Sequence, residues 1–251
     1  MRISTEWINL QVADGTTMRG YVSKPIDIRP HATMLIFQEA FGVNPHIRDI
    51  TERFSREGYL ALAPELFHRT GPGFEGSYTD FPGVMPHFGA LKDDQLALDI
   101  QASYDWLQKA LGKPVATGAV GYCVGGRITT LAAMTVPITC GIAYYGGGIA
   151  PGGMFPPLTP RFGELKAPMM FFWGGLDQHI GSDAVRAAED AAKAAGKQYT
   201  NVVFSYADHG FFCDARASYN KAAAKQAWLL TLEFLEVSIA ARASAGGSSG
   251  A

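Results

Sequence analysis

A lone cysteine, Cys123, stands between glycines in the run GAVGYCVGGRI, where an apolar stretch gives way to a helical one. Together with Gly121 and Gly125 it fits the pattern glycine, any residue, nucleophile, any residue, glycine. Glycines at these two places let a strand and a helix approach closely, so that the strained turn between them exposes the nucleophile. The pattern therefore predicts a reactive thiol at a strand–turn–helix junction.

The start of the following helix adds two features that suit this chemistry. The partial positive charge of a helix N-terminus favours a thiolate over a thiol, and the N–H of Val124 points to where an oxyanion would form. A free cysteine is more often a small buried hydrophobe. The flanking glycines and the junction favour the nucleophile for Cys123, whereas Cys140, inside the apolar run ITCGIAYY, is predicted to be plain core.

A cysteine nucleophile needs a histidine to accept and donate its proton and an acid to orient that histidine. His209 follows a β-rich run in SYADHGFF, and Asp177 follows the apolar run MMFFWGG. In the chain order nucleophile, acid, histidine, these residues predict the triad Cys123, Asp177 and His209. His179 is then interpreted as a surface loop residue. Asp208 is a rival acid, but neighbouring side chains in an extended loop tend to diverge.

The elements that would position these residues alternate along the chain. Apolar runs predict strands at 5–12, 17–23, 32–38, 59–66, 114–122, 138–146, 167–174 and 198–206. Helical spacing falls at 46–58, 92–111, 124–135, 182–195 and about 218–240. The first two strands form a hairpin, and the alternation that follows predicts an α/β fold with a mostly parallel sheet covered by helices on both faces.

The length of 251 residues suits a single α/β domain, predicted to span residues 1–243. Residues 68–91 are rich in glycine, proline and aromatic residues and are too long for an ordinary connection, so they predict a cap or lid over a site. Residues 244–251, SAGGSSGA, predict a disordered tail.

Composition argues against several classes of partner. The formal net charge is −2 and no block of like charge occurs, which disfavours nucleic acid and anionic membranes. No apolar run reaches the roughly 18 residues of a membrane span. Three cysteines without metal-type spacing predict free thiols in the cytoplasm. None of the histidines at 31, 46, 68 and 87 has an acid four residues after it, so neither a metal nor a cofactor is expected. The chain is predicted to be a monomer or a small homo-oligomer acting on a small molecule.

With these residues placed, the chain resembles the dienelactone hydrolase family of α/β-hydrolases over nearly everything but the tail. The matching motifs are IFQEAFGVN, GYCVGG, IAYYGGG, FFWGGLDQHI and DHGFFCDARASYN. The resemblance implies an α/β-hydrolase fold and cofactor-free cleavage of lactones or enol esters, as in aromatic compound degradation. Cys123 would form a thioester (an acyl-enzyme), and the N–H groups of Ala40 and Val124 would hold the oxyanion.

The resemblance also implies a fourth participant, Glu39 in IFQEAFG. It matches the family's glutamate, which acts as a switchable base near the thiol. In the resting site the cysteine is held away from the histidine. Substrate binding displaces the glutamate, which then takes the proton of the thiol.

The chain departs from the family in the arginines that hold a substrate carboxylate. The position four residues after His209 is Cys213, and residues 70–91 contain no arginine or lysine. Arg69 and Arg216 are possible substitutes, each also interpretable as a surface charge. Aromatic side chains could wall an apolar pocket: Phe41, Tyr145, Phe211, and in the cap Phe74, Tyr78, Phe81 and Phe88.

Two alternatives to a lactone hydrolase stay open. The missing arginines favour a broader carboxylesterase. A non-catalytic member of the fold, or a thiol sensor using Cys123 and Cys213, belongs to a different functional class.

Overall fold

The computed structural model describes residues 1–112 and 115–247 of the chain. The strands in these residues are β1 (Ile3–Gln11), β2 (Thr17–Pro25), β3 (Ala32–Phe37), β4 (Tyr59–Pro64), β5 (Thr117–Tyr122), β6 (Cys140–Tyr144), β7 (Met169–Gly174) and β8 (Tyr199–Phe204). The helices are α1 (Pro45–Arg56), α2 (Phe81–Phe88), α3 (Asp93–Ala110), α4 (Val124–Thr135), α5 (Ser182–Ala194) and α6 (Lys221–Gly247), with a 3-10 helix at Thr159–Glu164.

The eight strands of the described residues form one sheet in the order β1-β2-β4-β3-β5-β6-β7-β8. β1 and β2 pair antiparallel, β2 pairs antiparallel with β4, and every pair from β4 to β8 is parallel. The predicted mostly parallel sheet with an N-terminal hairpin is confirmed. The apolar runs form parallel strands because both faces of this sheet are covered, so their side chains are buried on either side.

Two glycines of β5 show how the faces are covered. Residues three apart on a strand point to opposite faces. A Cβ on Gly118 would lie 2.7 Å from a methyl carbon of Leu235 in α6, whereas a Cβ on Gly121 would lie 2.0 Å from the carbonyl oxygen of Gly125 in α4. The helices α6 and α4 therefore pack on opposite faces, each so close to β5 that only a glycine fits beneath it.

The segment predicted as a cap contains one short helix, α2, which the sequence analysis did not foresee. Asp80 caps it by accepting a hydrogen bond from the N–H of Gly83, and Pro86 lies inside it. Proline and glycine usually indicate turns, so a helix containing both is hard to predict. Its Val84 is fully buried against Ala40 and Phe41, which places the cap beside the end of β3.

The last helix, α6, is longer than predicted. It runs to Gly247, so residues 244–247 of the predicted tail belong to the helix, while residues 248–251 lie outside the described residues. Leu235 and Ala227 are fully buried, whereas Leu229 and Val237 are more than half exposed. Among the described helices, α6 included, we find none that combines the length and the apolarity needed to cross a membrane.

Candidate active site

Four predicted site residues follow the carboxyl ends of parallel strands. Glu39 comes after β3, Cys123 after β5, Asp177 after β7 and His209 after β8. Parallel strands end at the same edge of a sheet, and ligands of open α/β sheets bind in the crevice at that edge. The topology thus brings together residues that are far apart in the sequence.

Cys123 occupies a strained turn between β5 and α4. Its φ of 56° and ψ of −120° lie in a region that L residues rarely adopt, at a cost of about 1–3 kcal/mol. Its N–H donates to the carbonyl oxygen of Tyr144 in β6 at 3.0 Å. A Cβ on Gly125 would lie 2.3 Å from the carbonyl oxygen of Phe37. The predicted nucleophile elbow is present, and its glycines are required by close backbone contacts.

Asp177 and His209 form the other half of the site. Nδ1 of His209 lies 2.8 Å from Oδ2 of Asp177. The second carboxylate oxygen, Oδ1, accepts hydrogen bonds from the N–H groups of His179 at 2.7 Å and Ile180 at 3.0 Å. These contacts hold the carboxylate in place and fix Nδ1 as the protonated nitrogen, which leaves Nε2 to exchange a proton.

Two glycines after β7 let the loops of Asp177 and His209 meet. A Cβ on Gly174 would lie 2.7 Å from the carbonyl oxygen of Ala207, and one on Gly175 would lie 2.6 Å from Cα of Ser205. The N–H of Leu176 donates to the carbonyl oxygen of Ala207 at 2.9 Å. The Gly-Gly pair in FFWGGLDQ is therefore a condition for the contact between acid and histidine.

The electrostatics of the site stabilise a protonated histidine. Burial disfavours the charged form of His209, but its electrostatic interaction with Cys123 and its hydrogen bond to Asp177 outweigh burial and raise the pKa of His209 to about 10. Burial also acts to raise the pKa of Asp177, yet the bond and charge of His209, with the two backbone N–H groups, hold that pKa below its usual range.

Glu39 contacts an arginine that the sequence left ambiguous. The Glu39 side chain is fully buried, and its Oε1 lies 3.3 Å from Nη1 of Arg216. A Cβ on Gly210 would lie 2.5 Å from the same guanidinium group, so Arg216 packs closely over the loop of His209. Arg69, the other candidate, forms ion pairs with Asp14 and Asp99 instead. Arg216 therefore contacts a predicted site residue, whereas Arg69 connects the start of the cap segment to Asp14 and Asp99.

A cavity of about 610 Å³ opens above Cys123. It is lined by Ala40, Phe41, Tyr78, Phe81, Phe88, Cys123, Val124, Gly147, Gly148, Gly153, Met154, Phe155, His179, Ile180, His209 and Arg216. Most of these side chains are apolar, and Arg216 supplies a cation among them. Such an apolar cleft with a few converging polar groups is typical of a small-molecule site.

Several predicted wall residues lie elsewhere. Tyr145 and Phe211 are fully buried and do not line the described cavity. The Tyr145 ring lies 5.1 Å from that of His209 and 5.2 Å from that of Phe211, so Tyr145 packs against the histidine and Phe211 packs against Tyr145. Phe74 packs on His87 at 4.1 Å. A run of aromatic residues after a strand does not reveal which ring faces the cavity and which faces the core.

The structure also shows where the other acid, histidine and cysteine candidates lie. Asp208 is exposed and accepts only from the N–H of His209, at 2.6 Å. His179 is exposed, as predicted, but it also borders the cavity, with its ring 5.4 Å from that of His209. Cys140 is fully buried in β6, and Cys213 is buried behind the cap, where its thiol donates to the Tyr78 hydroxyl at 3.2 Å.

The two predicted oxyanion donors both border the cavity. Val124 is the first residue of α4, so its N–H has no acceptor within the helix. Ala40 follows Glu39, whose carbonyl oxygen accepts from Nε2 of Gln38 at 3.4 Å, while Oε1 of Gln38 accepts from the N–H of Leu66 at 3.1 Å. Because a peptide bond is trans and planar, a bound Glu39 carbonyl turns the Ala40 N–H to the opposite side.

Arg127, which the sequence analysis did not single out, connects α4 to the cavity wall. Its side chain is buried and forms two hydrogen bonds with the carboxylate of Asp93. It also donates to the carbonyl oxygens of Gly148 at 3.1 Å and Pro156 at 2.8 Å. The helix that begins at Cys123 therefore also anchors the loop that contributes Met154 to the cavity.

One group of described side chains could hold a metal ion. Ligand atoms of Glu39, His46 and Cys213, all buried, lie within 4.8 Å of one another. The sequence analysis found no reason for a metal site, because these residues are distant in the chain and share no spacing motif.

Comparison with known proteins agrees with the fold. The model of the dienelactone hydrolase family matches residues 18–238. A Synechocystis protein provisionally named a carboxymethylenebutenolidase is 37% identical over 230 residues, 88% of this chain and 89% of that protein. An Escherichia coli O157:H7 protein with the same provisional name is 33% identical over 229 residues, 89% of this chain and 84% of that protein. A Klebsiella pneumoniae crystal structure provisionally named a dienelactone hydrolase has a TM-score of 0.86 and 31% identity, covering 94% of this chain and 99% of that one.

Proposed function

The chain belongs to the dienelactone hydrolase family, and we propose that it cleaves lactones and enol esters with Cys123 as nucleophile, His209 as proton carrier and Asp177 as the orienting acid. The observation that carries the proposal is the 2.8 Å contact between His209 and Asp177 at the same sheet edge as the strained Cys123 turn. A nucleophile, a histidine and an acid in this relation constitute the arrangement for acyl transfer.

The first step is attack of the Cys123 sulfur on the substrate carbonyl carbon. A carbon–sulfur bond forms, and the carbonyl oxygen becomes an oxyanion that the N–H groups of Ala40 and Val124 stabilise. The carbonyl reforms as the carbon–oxygen bond to the enolate breaks, which leaves a thioester on Cys123. Because the enolate is itself stabilised, it needs little help from an acid.

The second step is hydrolysis of the thioester. His209 removes a proton from water through Nε2, and the resulting hydroxide attacks the thioester carbonyl. Asp177 stabilises the imidazolium that forms. Collapse of the second tetrahedral intermediate releases the acid and returns the thiolate to Cys123.

Glu39 and Arg216 offer a means of coupling substrate binding to this chemistry. Glu39 is held by Arg216 through one oxygen. A substrate carboxylate that binds Arg216 competes with Glu39, because a guanidinium group prefers a well-placed carboxylate partner. The released Glu39 can then take a thiol proton, the role that the family assigns to it.

The substrate we favour is a lactone that carries a carboxylate, as the name of the Synechocystis and Escherichia coli relatives suggests. A second candidate is a neutral carboxylic ester. Arg216 is already paired with Glu39, and the rest of the cavity is largely apolar. Both features suit an uncharged ester. We also propose a cytoplasmic location, since all three cysteines are free thiols.

The test is turnover of a dienelactone beside p-nitrophenyl acetate by the wild type and by Cys123→Ala. We expect dienelactone cleavage that falls by about 100-fold or more in the variant. Fast cleavage of p-nitrophenyl acetate alone, still dependent on Cys123, would identify the neutral carboxylesterase. A Cys123→Ala protein that turns over the dienelactone at the wild-type rate would overturn the proposed nucleophile.

A further inference from the structure

Behind the cavity lies a cluster of three buried donor side chains: Glu39 from the loop after β3, His46 from α1 and Cys213 from the loop after β8. Their ligand atoms all lie within 4.8 Å of one another. A carboxylate, an imidazole and a thiolate are the three side-chain types that bind Zn²⁺. The reaction proposed above uses Glu39 but leaves His46 and Cys213 without a role.

Three polar atoms of this cluster lack a hydrogen-bond partner among the described residues. Oε2 of Glu39 and both ring nitrogens of His46 are buried and have no hydrogen-bond partner among the described residues. Glu39 is fully buried and His46 is 6% exposed. Buried polar groups are normally satisfied, and an unsatisfied one often indicates an ion or water that binds there.

We propose that Glu39, His46 and Cys213 form a binding site for one thiophilic divalent cation of the Zn²⁺ class. Three protein ligands would leave a fourth coordination position open. At bond lengths of about 2.0–2.3 Å, ligands around tetrahedral Zn²⁺ lie roughly 3.5 Å apart. The three side chains would therefore have to close by about 1 Å, which rotamer adjustments of His46 and Cys213 can supply.

Arg216 does not prevent a cation from binding. It contacts Oε1 of Glu39, whereas Oε2 is the oxygen without a partner. One carboxylate can therefore keep its guanidinium partner and bind the cation through its second oxygen. A neutral imidazole and the two anions Glu39 and Cys213 thiolate place a charge of −2 around the ion, the guanidinium of Arg216 adds one positive charge, and the thiol proton leaves to solvent.

Two neighbouring side chains are placed to support the ligands. Nδ1 of His46 lies 4.0 Å from Oδ1 of Asp214, so this carboxylate can orient the ring and leave Nε2 for the cation. The Tyr78 hydroxyl accepts from Asn44 at 2.9 Å and from Cys213 at 3.2 Å. Once Cys213 has lost its proton, the Tyr78 hydroxyl can donate its own hydrogen to the sulfur.

Occupation of this site would hold Glu39 and so inhibit turnover, a consequence that rests on the proposed function. The binding itself does not rest on it. We therefore test binding with Co²⁺, which replaces Zn²⁺ and gives a sulfur-to-cobalt charge-transfer absorption. The background is Cys123→Ala, which removes the proposed nucleophile as a competing sulfur ligand.

In reduced Cys123→Ala protein we expect one equivalent of Co²⁺ to produce the charge-transfer band. Adding Cys213→Ala should abolish the band, and adding His46→Leu should weaken Co²⁺ binding by at least about tenfold. Cys140→Ala in the same background is the matched control and should leave the band unchanged. Thermal unfolding of each variant checks that it is folded.

A band that survives in the Cys123→Ala/Cys213→Ala protein, or no band in Cys123→Ala alone, would overturn the site. A separate measurement addresses inhibition. Zn²⁺ should slow ester cleavage by the wild type and slow it at least about tenfold less effectively in Cys213→Ala, each compared with its own rate without metal. Equal inhibition of both, with the cobalt band as expected, would overturn the link to Glu39 but not the binding site.

Discussion

Nδ1 of His209 lies 2.8 Å from Oδ2 of Asp177, although the two residues are 32 positions apart and belong to loops after different strands. The acid is buried and the histidine is 8% exposed, so water cannot readily substitute for either partner. The contact determines which tautomer His209 adopts and therefore which ring nitrogen is left to exchange a proton.

Replacing Asp177 and Asp208 in turn should show which of the two carboxylates orients His209. We expect Asp177→Asn to lower kcat by about 100-fold or more, because the amide no longer stabilises the imidazolium. Asp208→Asn is the matched control, since Asp208 is exposed and contacts only the N–H of its neighbour. Steady-state kinetics of both variants decide between them. A larger loss in Asp208→Asn would contradict the assignment.

The raised pKa of His209 makes stability depend on pH. Because the pKa rises from 6.5 to about 10, the proton of His209 stabilises the fold fully below about pH 6.5, and this contribution is lost as the pH rises to 10. In Cys123→Ala the thiolate is absent, so the pKa should fall. NMR titration of the His209 ring, assigned with His209→Gln, measures both. Equal pKa values in the two proteins would show that Cys123 does not act on the histidine.

The elbow should not tolerate a methyl group at Gly125. A Cβ there would meet the carbonyl oxygens of Phe37 at 2.3 Å and Gln38 at 2.6 Å, which are backbone atoms that cannot turn aside. We expect Gly125→Ala to lower the free energy of unfolding by about 3 kcal/mol or to prevent folding. Gly163→Ala is the control, because a Cβ at Gly163 would meet nothing within 4 Å. Denaturant unfolding of the pair gives the comparison, and similar midpoints would contradict the packing argument.

Arg216 should distinguish charged from neutral substrates. Loss of a charged hydrogen bond costs about 1.5–3 kcal/mol, so we expect Arg216→Gln to reduce kcat/KM for a dienelactone roughly 10- to 100-fold. The change for p-nitrophenyl acetate should be smaller. Arg161→Gln, at a half-exposed arginine outside the cavity lining, should alter neither. An equal loss on both substrates would mean that Arg216 supports the site without binding a carboxylate.

The grouping of Cys123, Asp177 and His209 at one edge of the sheet was predictable because each residue follows a predicted strand. Parallel strands carry their ends to one edge, so Cys123, Asp177 and His209 could be brought together without knowledge of the strand order. The glycine pattern around Cys123 added a local signal, since it reflects backbone contacts that exclude any side chain. Contacts that follow from the alternation of strands and helices can therefore be predicted from the sequence.

Contacts set by side-chain direction were not predictable. Arg216 could be read equally as a surface charge, because nothing near it in the chain indicates that it turns toward Glu39. Tyr145 and Phe211 follow strands, as wall residues often do, yet both rings pack behind His209. The short helix α2 was not predicted because its prolines and glycine favour turns. It is stabilised by the packing of Val84 against Ala40 and Phe41, which lie elsewhere in the chain.

The proposed reacting groups lie at the ends of strands, whereas much of the cavity wall comes from other segments of the chain. Cys123, Asp177 and His209 lie at the ends of strands, whereas Phe81, Phe88 and residues 153–155 line the space above them. Arg127 holds the latter loop through the carbonyl oxygens of Gly148 and Pro156, which any residue supplies, and its guanidinium group also lies 5.1 Å from the centre of the Phe155 ring. Mutations in the walls can therefore accumulate without touching the chemistry, and natural or laboratory evolution can change which esters are accepted while hydrolysis itself is inherited intact.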